Sequence, residues 1–188
     1  MNLWFRLIWL LMTTRFRERL EAPFGVSRLN FRVLPSDLDP NLHLNNGRYF
    51  TLADLGRLDL MLRGDLWNVA RRKGWMPVLS GAIMRFRREL RPFQRFELQS
   101  RIIWWNDRNF VMEHRFVAER QGAPDVAAIG LVRGGLYDRA ARRFVPPADI
   151  FAVMGYDGPT PEPTADVAAF MAAEDEMKRQ QGAVAPES

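Results

Sequence analysis

The spacing of apolar positions along the chain predicts one long helix between strands. Residues 27–34 alternate apolar and polar side chains, as a half-buried strand does. From about Asn46 the leucines recur at helical spacing in a wide apolar stripe, which predicts a largely buried helix that ends near Gly64. Residues 67–73 predict one further turn or a short helix.

The following segment predicts three or four consecutive strands. Residues 78–90 form the first, which ends before Pro92. Residues 96–104 alternate, and their even positions, up to and including Trp104, are predicted to share one face. Residues 110–118 and 126–137 then complete an antiparallel meander. This order predicts an α+β fold in which a curled antiparallel sheet wraps around one long central helix, because a sheet that covers such a helix must curl.

The chain of 188 residues is long enough for one domain with a full core. We expect an apolar N-terminal helix in residues 1–20 and the α+β domain in residues 21–156. Residues 157–188 predict a Pro-rich linker, a short acidic helix and a disordered tail.

The N-terminal segment is strongly apolar but is interrupted by Arg6. It is too short to cross a bilayer, which takes roughly 20 apolar residues. It also fits a cleaved signal peptide poorly, because Arg6 is the only early charge. Trp4 and Trp9 indicate that residues 3–12 lie on a membrane surface, and the alternative is a helix packed against the domain or a dimer partner. We therefore expect a cytoplasmic protein, peripheral on a membrane in the first case.

The composition excludes several kinds of metal site and nucleophile. There is no cysteine, which excludes disulfides, thiolate metal sites and a cysteine nucleophile, and two histidines are too few for a His-rich metal centre. Residues 157–188 contain two basic and seven acidic side chains, so the other 156 residues contain 25 basic and 15 acidic ones, a net charge of +10. Such a basic domain suits a polyanion such as coenzyme A or an anionic membrane. No nucleic-acid reader motif is present, so we expect no nucleic-acid partner.

Polar residues suited to acyl chemistry are concentrated just ahead of the long helix. Asp39, Asn41 and His43 can converge at its N-terminus, where backbone N–H groups and the helix dipole favour negative charge. Thioester hydrolysis needs a carboxylate to deliver water and donors for the developing oxyanion. We predict such hydrolysis by water, without a metal or an organic cofactor.

The run S-D-L-D-P-N-L-H-L-N-N-G-R-Y at residues 36–49 resembles the D-x-D-x-x-x-H-x-N-N-x-x-Y signature of the hot-dog-fold thioesterases, a superfamily that includes the 4-hydroxybenzoyl-CoA thioesterase-like proteins. Together with W-N-D-R at 105–108, residues 32–49 are most similar to the thioesterase-superfamily member six type. The resemblance covers about residues 27–150. It implies a hot-dog fold and an acyl-CoA or acyl-carrier-protein substrate.

The resemblance also implies roles for single residues. Asp39 would be the nucleophile or general base. Residues 36–46 also resemble the S-D-L-D-x-N-x-H-x-N-N pattern of the plant acyl-carrier-protein thioesterases, which implies that Asn41 and His43 bind and orient the reacting group beside Asp39. By position, the backbone N–H groups of Gly47 and Arg48 are candidate oxyanion donors.

Other residues near the helix start and on the next strand are candidates for substrate binding. Asn46 is one, although it and its neighbour Asn45 can equally satisfy backbone groups at the helix start. Arg85, Arg87 and Arg88 are candidates for the phosphates of coenzyme A, the alternative being a solvated strand face.

Two further polar residues are predicted to be structural, and one residue of the plant-type pattern is missing. Asp37 is expected to fix the loop, and His114 to be a core histidine. The plant-type acyl-carrier-protein thioesterases carry a further acidic or thiol residue one strand later, and residues 77–82 provide none.

We further expect a homodimer, or a dimer of dimers, with the active site at the subunit boundary. Residues 78–90 can serve as a pairing edge, and hot-dog thioesterases typically pair in this way. Two other functions stay open: a non-catalytic acyl-binding or membrane-associated module, and an enoyl-CoA hydratase. The hydratase signature D-x-N-P-L-H is one residue longer than the spacing from Asp39 to His43.

Overall fold

A six-stranded antiparallel sheet packs around one long helix in the computed structural model of this chain. The structure describes residues 2–183, so the predicted disordered tail at residues 184–188 lies outside the described residues. The elements in chain order are α1 Asn2–Thr14, β1 Ser27–Arg32, a 3-10 turn Pro35–Asp37, α2 Asn46–Arg63, α3 Leu66–Lys73, β2 Trp75–Phe86, β3 Arg95–Trp105, β4 Phe110–Arg120, β5 Ala123–Asp138, β6 Arg143–Val145, α4 Pro147–Val153 and α5 Ala165–Ala183.

The sheet order is β1-β3-β4-β5-β2, and all pairings are antiparallel. The short strand β6 pairs with residues 136–138 of β5, beyond the part of β5 that pairs with β4. It therefore lies on the same side of β5 as β4 does. The predicted α+β order is confirmed, as are the start of α2 at Asn46 and its end before Gly64. Strand β6 has only three residues, which is too few to show the alternation that predicts a strand from the sequence.

The two faces of the sheet are covered by different helices. On the inner face, α2 buries Leu52 and Leu55 against Leu98 and Phe116 of the sheet. On the outer face, α5 buries Val167 and Phe170 against Val111 and Leu131. Side chains of β4 therefore alternate between the layer under α2 and the layer under α5, which explains why both faces of this strand are largely buried.

The prediction that Trp104 shares a face with residues 96–102 is wrong. A β-bulge shifts the register of β3 between Ile102 and Trp104. One extra residue reverses the alternation that follows it. Trp105 therefore takes the inner face, against Phe151, and Trp104 packs under α5 instead.

The helix α2 comes closest to the sheet at Gly56, where a Cβ atom would overlap Ser100 Oγ of β3. Ser100 Oγ is 2.8 Å from Nδ1 of His114, and both side chains are fully buried. Burial, with the nearby charge of Arg57, lowers the pKa of His114 to about 3. The prediction of a core histidine at position 114 is confirmed.

Two buried carboxylates attach the N-terminal segment to the domain. Asp37 pairs with Arg6 of α1 at 2.7 Å. Asp59 of α2 accepts hydrogen bonds from Arg17 at 2.9 Å, from Arg63 at 3.1 Å and from Ser27 at 2.6 Å. Among residues 2–183, no helix combines the length and the apolar character needed to cross a membrane.

Candidate active site

The loop ahead of α2 is a small hairpin. Leu38 and Leu44 form an antiparallel bridge, and the Asp39 N–H donates to the carbonyl of His43 at 2.9 Å. The Leu42 N–H closes a turn onto the carbonyl of Asp39 at 3.0 Å. Leu42 has φ of 59°, the left-handed conformation that a three-residue hairpin loop needs at its last position. The loop thus holds a residue in a conformation that usually favours glycine, a kind of strain found often at functional sites.

The Asp39 carboxylate is oriented by its own loop. Its Oδ1 accepts hydrogen bonds from the backbone N–H groups of Asn41, at 2.9 Å, and His43, at 3.2 Å. The side chain is half-buried, and no hydrogen bond from residues 2–183 reaches its Oδ2. One oxygen therefore fixes the carboxylate while the other is left to contact water or a substrate. The structure brings the three predicted residues of this segment onto one turn, with Asn41 exposed beside it.

A residue absent from the sequence prediction stands beside His43. Nε2 of His43 lies 3.4 Å from Oε2 of Glu89, and both side chains are partly exposed. Hydrogen bonds from Arg91, with the electrostatic effect of His43, lower the pKa of Glu89. The contact forms because the Leu44 N–H donates to the carbonyl of Leu90 at 2.9 Å. Nothing in the spacing of the sequence links these two segments, so only the three-dimensional structure reveals Glu89.

The predicted oxyanion donors lie in the first turn of α2. Asn45 caps the helix, and its Oδ1 accepts the Gly47 N–H at 2.9 Å. The Arg48 N–H donates to the carbonyl of Asn45 at 2.8 Å, and Asn46 is exposed beside them. Both donors are therefore engaged by Asn45, so a substrate oxygen would have to replace the Asn45 side chain at Gly47. Their role stays a prediction.

Asp37 holds the start of the same loop. It is buried, accepts the Leu34 N–H at 3.0 Å and lies between the guanidinium groups of Arg6 and Arg48, at 2.7 and 3.8 Å. Arg48 also donates to the carbonyl of Ser36 at 3.0 Å. The expectation that Asp37 fixes the loop is confirmed.

The predicted phosphate-binding arginines lie at the end of β2. Arg87 pairs with Asp125 at 2.6 Å, and Arg88 lies 3.8 Å from the same carboxylate. Arg85 is exposed opposite Ile129, on the sheet face away from α2. Two of the three arginines thus already contact the single carboxylate of Asp125, and their contact with a substrate stays a prediction.

Aromatic side chains form an apolar wall at the start of α2. Tyr49 packs edge-on against Phe86 of β2, with ring centroids 5.0 Å apart, and against Phe116 at 4.8 Å. Burial raises the pKa of Tyr49 to about 12, so it is neutral. Phe86 is 40% exposed on the edge strand. This wall lies between the first turn of α2 and the edge strand β2.

A second apolar cavity lies at the other end of α2, which is about 27 Å long at 1.5 Å per residue. Leu60, Ile102, Phe110 and Met154 are among the residues that line it. Its volume of about 30 Å³ leaves room for one or two water molecules. It lies at the end of α2 away from the loop that contains Asp39, so it is separate from the candidate site.

Known sequences match the part of the chain that contains the candidate site. A family model described as the thioesterase-like superfamily matches residues 33–155. Protein THEM6 of Xenopus laevis is 41% identical over 86 residues, which cover 46% of this chain and 42% of that protein. Protein THEM6 of Danio rerio is 30% identical over 134 residues, 70% of this chain and 65% of that protein. The chain thus spans less than two thirds of the length of these relatives.

Solved structures agree with the fold. The probable thioesterase YbaW from Escherichia coli superposes with a TM-score of 0.61 at 18% identity, over 68% of this chain and 97% of that one. A 4-hydroxybenzoyl-CoA thioesterase, an Asp-to-Asn variant in complex with 4-hydroxybenzoyl-CoA, superposes with a TM-score of 0.60 at 13% identity, over 69% and 98%. The predicted hot-dog fold is confirmed.

Proposed function

Because this chain belongs to the thioesterase-like superfamily, we propose that it is a thioester hydrolase that cleaves an acyl thioester to the free acid and a thiol. The observation that carries the proposal is the Asp39 carboxylate, which is held through Oδ1 by two backbone N–H groups of the hairpin loop just ahead of α2. Relatives from fungi carry the name thioesterase, among them lcsJ of Purpureocillium lilacinum, 25% identical over 155 residues.

The chemistry follows from the two oxygens of Asp39. The oxygen without a bond in the described loop accepts a proton from water, and the water oxygen attacks the thioester carbonyl carbon. Negative charge develops on the carbonyl oxygen, where the N-terminus of α2 and the Gly47 N–H stabilise it once the Asn45 side chain moves aside. The C–S bond then breaks, and the leaving thiolate takes up the proton. Asn41 and His43 orient the thioester, with His43 held by Glu89.

We propose acyl-CoA as the substrate, with acyl-carrier protein as the alternative. Arg48 and Arg91 lie at the loop, and the domain has a strong positive charge that attracts the phosphates of coenzyme A. The structural neighbour that binds 4-hydroxybenzoyl-CoA supports a coenzyme A thioester. Arg85, Arg87 and Arg88 complete the phosphate contacts in this proposal, and Arg87 and Arg88 must exchange Asp125 for phosphate to do so.

The decisive variant is Asp39→Asn. The amide oxygen can still accept the two loop N–H groups, so the loop and the unfolding temperature should stay as they are, whereas the amide cannot take a proton from water. General acid–base groups contribute roughly 100-fold or more, so turnover should fall by at least that factor. The exposed Asp107→Asn in the β3–β4 turn is the matched control and should retain full activity.

Thiol release should be followed with short, medium, long and aromatic acyl-CoA substrates. Full activity of Asp39→Asn on every one of them would show that Asp39 is not the catalytic carboxylate. His43→Ala and Asn41→Ala should reduce turnover less than Asp39→Asn. Should the wild-type protein bind acyl-CoA without releasing thiol, the non-catalytic acyl-binding module would be the correct function.

We also propose a homodimer that pairs through β2. This strand is 12 residues long, lies at the sheet edge and exposes Leu79 and Ile83, which are 49% and 43% accessible. Such an edge favours pairing with a second copy, and two-fold pairing is the commonest oligomer. Ile83→Lys should give a monomer by light scattering and lower turnover, since the partner would no longer cover Phe86. A wild-type monomer that hydrolyses acyl-CoA would contradict the shared site.

We finally propose that the enzyme works in the cytoplasm, peripheral on a membrane through residues 3–12. The exposed apolar side chains of this segment support that location. Fractionation of cells that express the full chain tests it: the protein should sediment with membranes and be released by detergent. Recovery in the soluble fraction alone would contradict it.

A further inference from the structure

The helix α1 presents two apolar faces, and only one of them is covered. Leu3, Leu7 and Leu10 pack against the domain core. The rest of the helix surface exposes five large apolar side chains, Trp4, Phe5, Ile8, Trp9 and Met12, each between 51% and 70% accessible, and Phe16 is exposed just beyond the helix. A helix that is apolar all round is normally buried on every side, so the outer face of α1 calls for an apolar environment of its own.

The outer face cannot be hidden by rotation of the helix. Arg6 donates to Asp37 at 2.7 Å and to the carbonyl of Arg32 at 2.8 Å, and it lies over the ring of Phe31 at 5.4 Å. Leu10, 3% accessible, is fixed in the core on the same side. The helix is thus attached in one orientation, with its aromatic side directed away from the domain.

We propose that the outer face of α1 docks on an anionic lipid surface, and that Arg6, by joining α1 to Asp37, makes this docked helix part of the support of the catalytic loop. The inference rests on the proposed thioester hydrolysis for its effect on turnover, but its lipid binding does not. Arg6 acts here as a positioning residue.

The chemistry of the face favours lipid over protein. Indole rings combine an apolar body with a polar N–H, and Trp4 and Trp9 are 69% and 70% accessible on this face. Residues 2–20 contain four arginines and one glutamate, and Arg15 and Arg19 are exposed just beyond the helix. Aromatic side chains flanked by exposed arginine match the boundary between acyl chains and anionic headgroups.

The position of α1 leaves room for this partner in the proposed dimer. Contacts of Arg6 with Phe31 and Arg32 place α1 beside β1. The sheet order puts β1 and β2 at opposite ends. The lipid face and the pairing edge therefore do not compete for the same surface.

The link to the active site runs through Asp37. Its side chain holds the 3-10 turn Pro35–Asp37 by accepting the Leu34 N–H, and its carbonyl accepts the Asn45 N–H at 2.9 Å. Asp37 thus joins both ends of the loop that contains Asp39. A helix held against the bilayer fixes one partner of the Arg6–Asp37 pair, and hence the entry to this loop.

Docking is tested with vesicles. The full-length protein should sediment with vesicles of equal parts phosphatidylglycerol and phosphatidylcholine, and less with phosphatidylcholine alone. The double variant Trp4→Ser, Trp9→Ser should bind the anionic vesicles at least ten-fold more weakly. Trp67→Ser, at a tryptophan of α3 that is 41% accessible, is the matched control and should bind as wild type does.

Wild-type binding by the double variant, or no vesicle binding by the wild type, would overturn the proposal. Light scattering without lipid tests whether the outer face of α1 instead contacts a second copy of the chain. If the double variant forms a smaller oligomer than the wild type and Trp67→Ser, the outer face of α1 contacts a second copy of the chain. The lipid surface is then the wrong partner.

The positioning role is tested with a soluble short-chain acyl-CoA and no vesicles. Arg6→Gln should lower kcat about ten-fold with a smaller change in KM, because small misplacements of catalytic groups are costly. Arg6→Lys keeps the charge opposite Asp37 and should restore part of kcat. Hydrogen exchange of residues 36–46 should become faster in Arg6→Gln and not in Arg6→Lys.

An Arg6→Gln variant with unchanged exchange and unchanged kcat would overturn the coupling. If no thioester is hydrolysed by the wild type, the proposed function fails, while vesicle binding and hydrogen exchange still decide this inference.

Discussion

His114 makes the stability of this protein depend on pH. The imidazole is buried between Ser100 of β3 and Gly130 of β5, with Arg57 of α2 close enough for its charge to oppose protonation. Arg57 pairs in turn with Asp54. No residue among 2–183 provides a partner for Nε2 of His114. Protonation in the folded state would therefore bury an uncompensated charge.

The sign follows from the two pKa values. The pKa is about 3 in the folded protein and 6.5 in an unfolded chain. Between these values the unfolded chain takes up a proton that the folded protein does not, so stability falls as pH falls from 6.5 towards 3. One pH unit corresponds to about 1.4 kcal/mol, so His114 alone should cost about 2 kcal/mol between pH 7 and pH 5. This loss is set by the pKa of His114 in the unfolded chain, because the imidazole of the folded protein is still neutral at pH 5.

The assay is urea unfolding at pH 7 and pH 5, followed by tryptophan fluorescence at one protein concentration, because a dimer would make the midpoint depend on concentration. His114→Asn keeps an amide near Ser100 and cannot titrate. It should be less stable at pH 7 because a ring is removed from the core, but it should lose about 2 kcal/mol less than wild type between the two pH values.

The other histidine provides the matched control. His43→Asn removes the partly exposed imidazole and should keep most of the wild-type pH dependence. Titrating carboxylates are shared by all three proteins, so they cancel in the comparison. If His114→Asn loses as much stability between pH 7 and pH 5 as wild type, the buried histidine is not the cause.

Three further substitutions test the packing. Gly56→Ala should destabilise by about 1–3 kcal/mol, because its Cβ would overlap Ser100 Oγ, and Ser100→Gly should recover part of that loss in a double-mutant cycle of thermal unfolding. Asp59→Asn should cost about 3–5 kcal/mol in urea unfolding because it leaves two arginines without their buried carboxylate, whereas the exposed Asp54→Asn should cost far less. Leu42→Gly should not lower stability, since glycine adopts φ of 59° without strain; a loss above about 1 kcal/mol in the same assay would show that the Leu42 side chain matters more than its backbone.

Much of the fold was predictable because its signals are local. The leucine spacing of α2, its start at Asn46 and its end before Gly64 depend on neighbours in the chain, and the structure confirms them. The strands after α2 were predictable for the same reason, since alternation has a period of two. The bulge that moves Trp104 to the outer face was not, because the extra residue is defined by pairing with β4.

The residues of the candidate site were likewise predictable only where they lie close together in the sequence. Asp39, Asn41 and His43 lie within five positions, so one turn brings them together, and their spacing in the sequence was enough to select them. Their catalytic roles stay predictions. Glu89 was missed because it meets His43 through a backbone bond between two distant segments.

The sequence by itself determined the family, the order of helix and strands, and the short run of residues on which the proposed chemistry depends. The tertiary structure alone decided which charges are paired: Arg6 with Asp37, Arg17 with Asp59, and Glu89 with His43. The physical reason is separation along the chain. Local patterns report on the backbone of a segment, whereas an ion pair between distant segments exists only after the sheet has curled around α2 and brought them within a few ångströms.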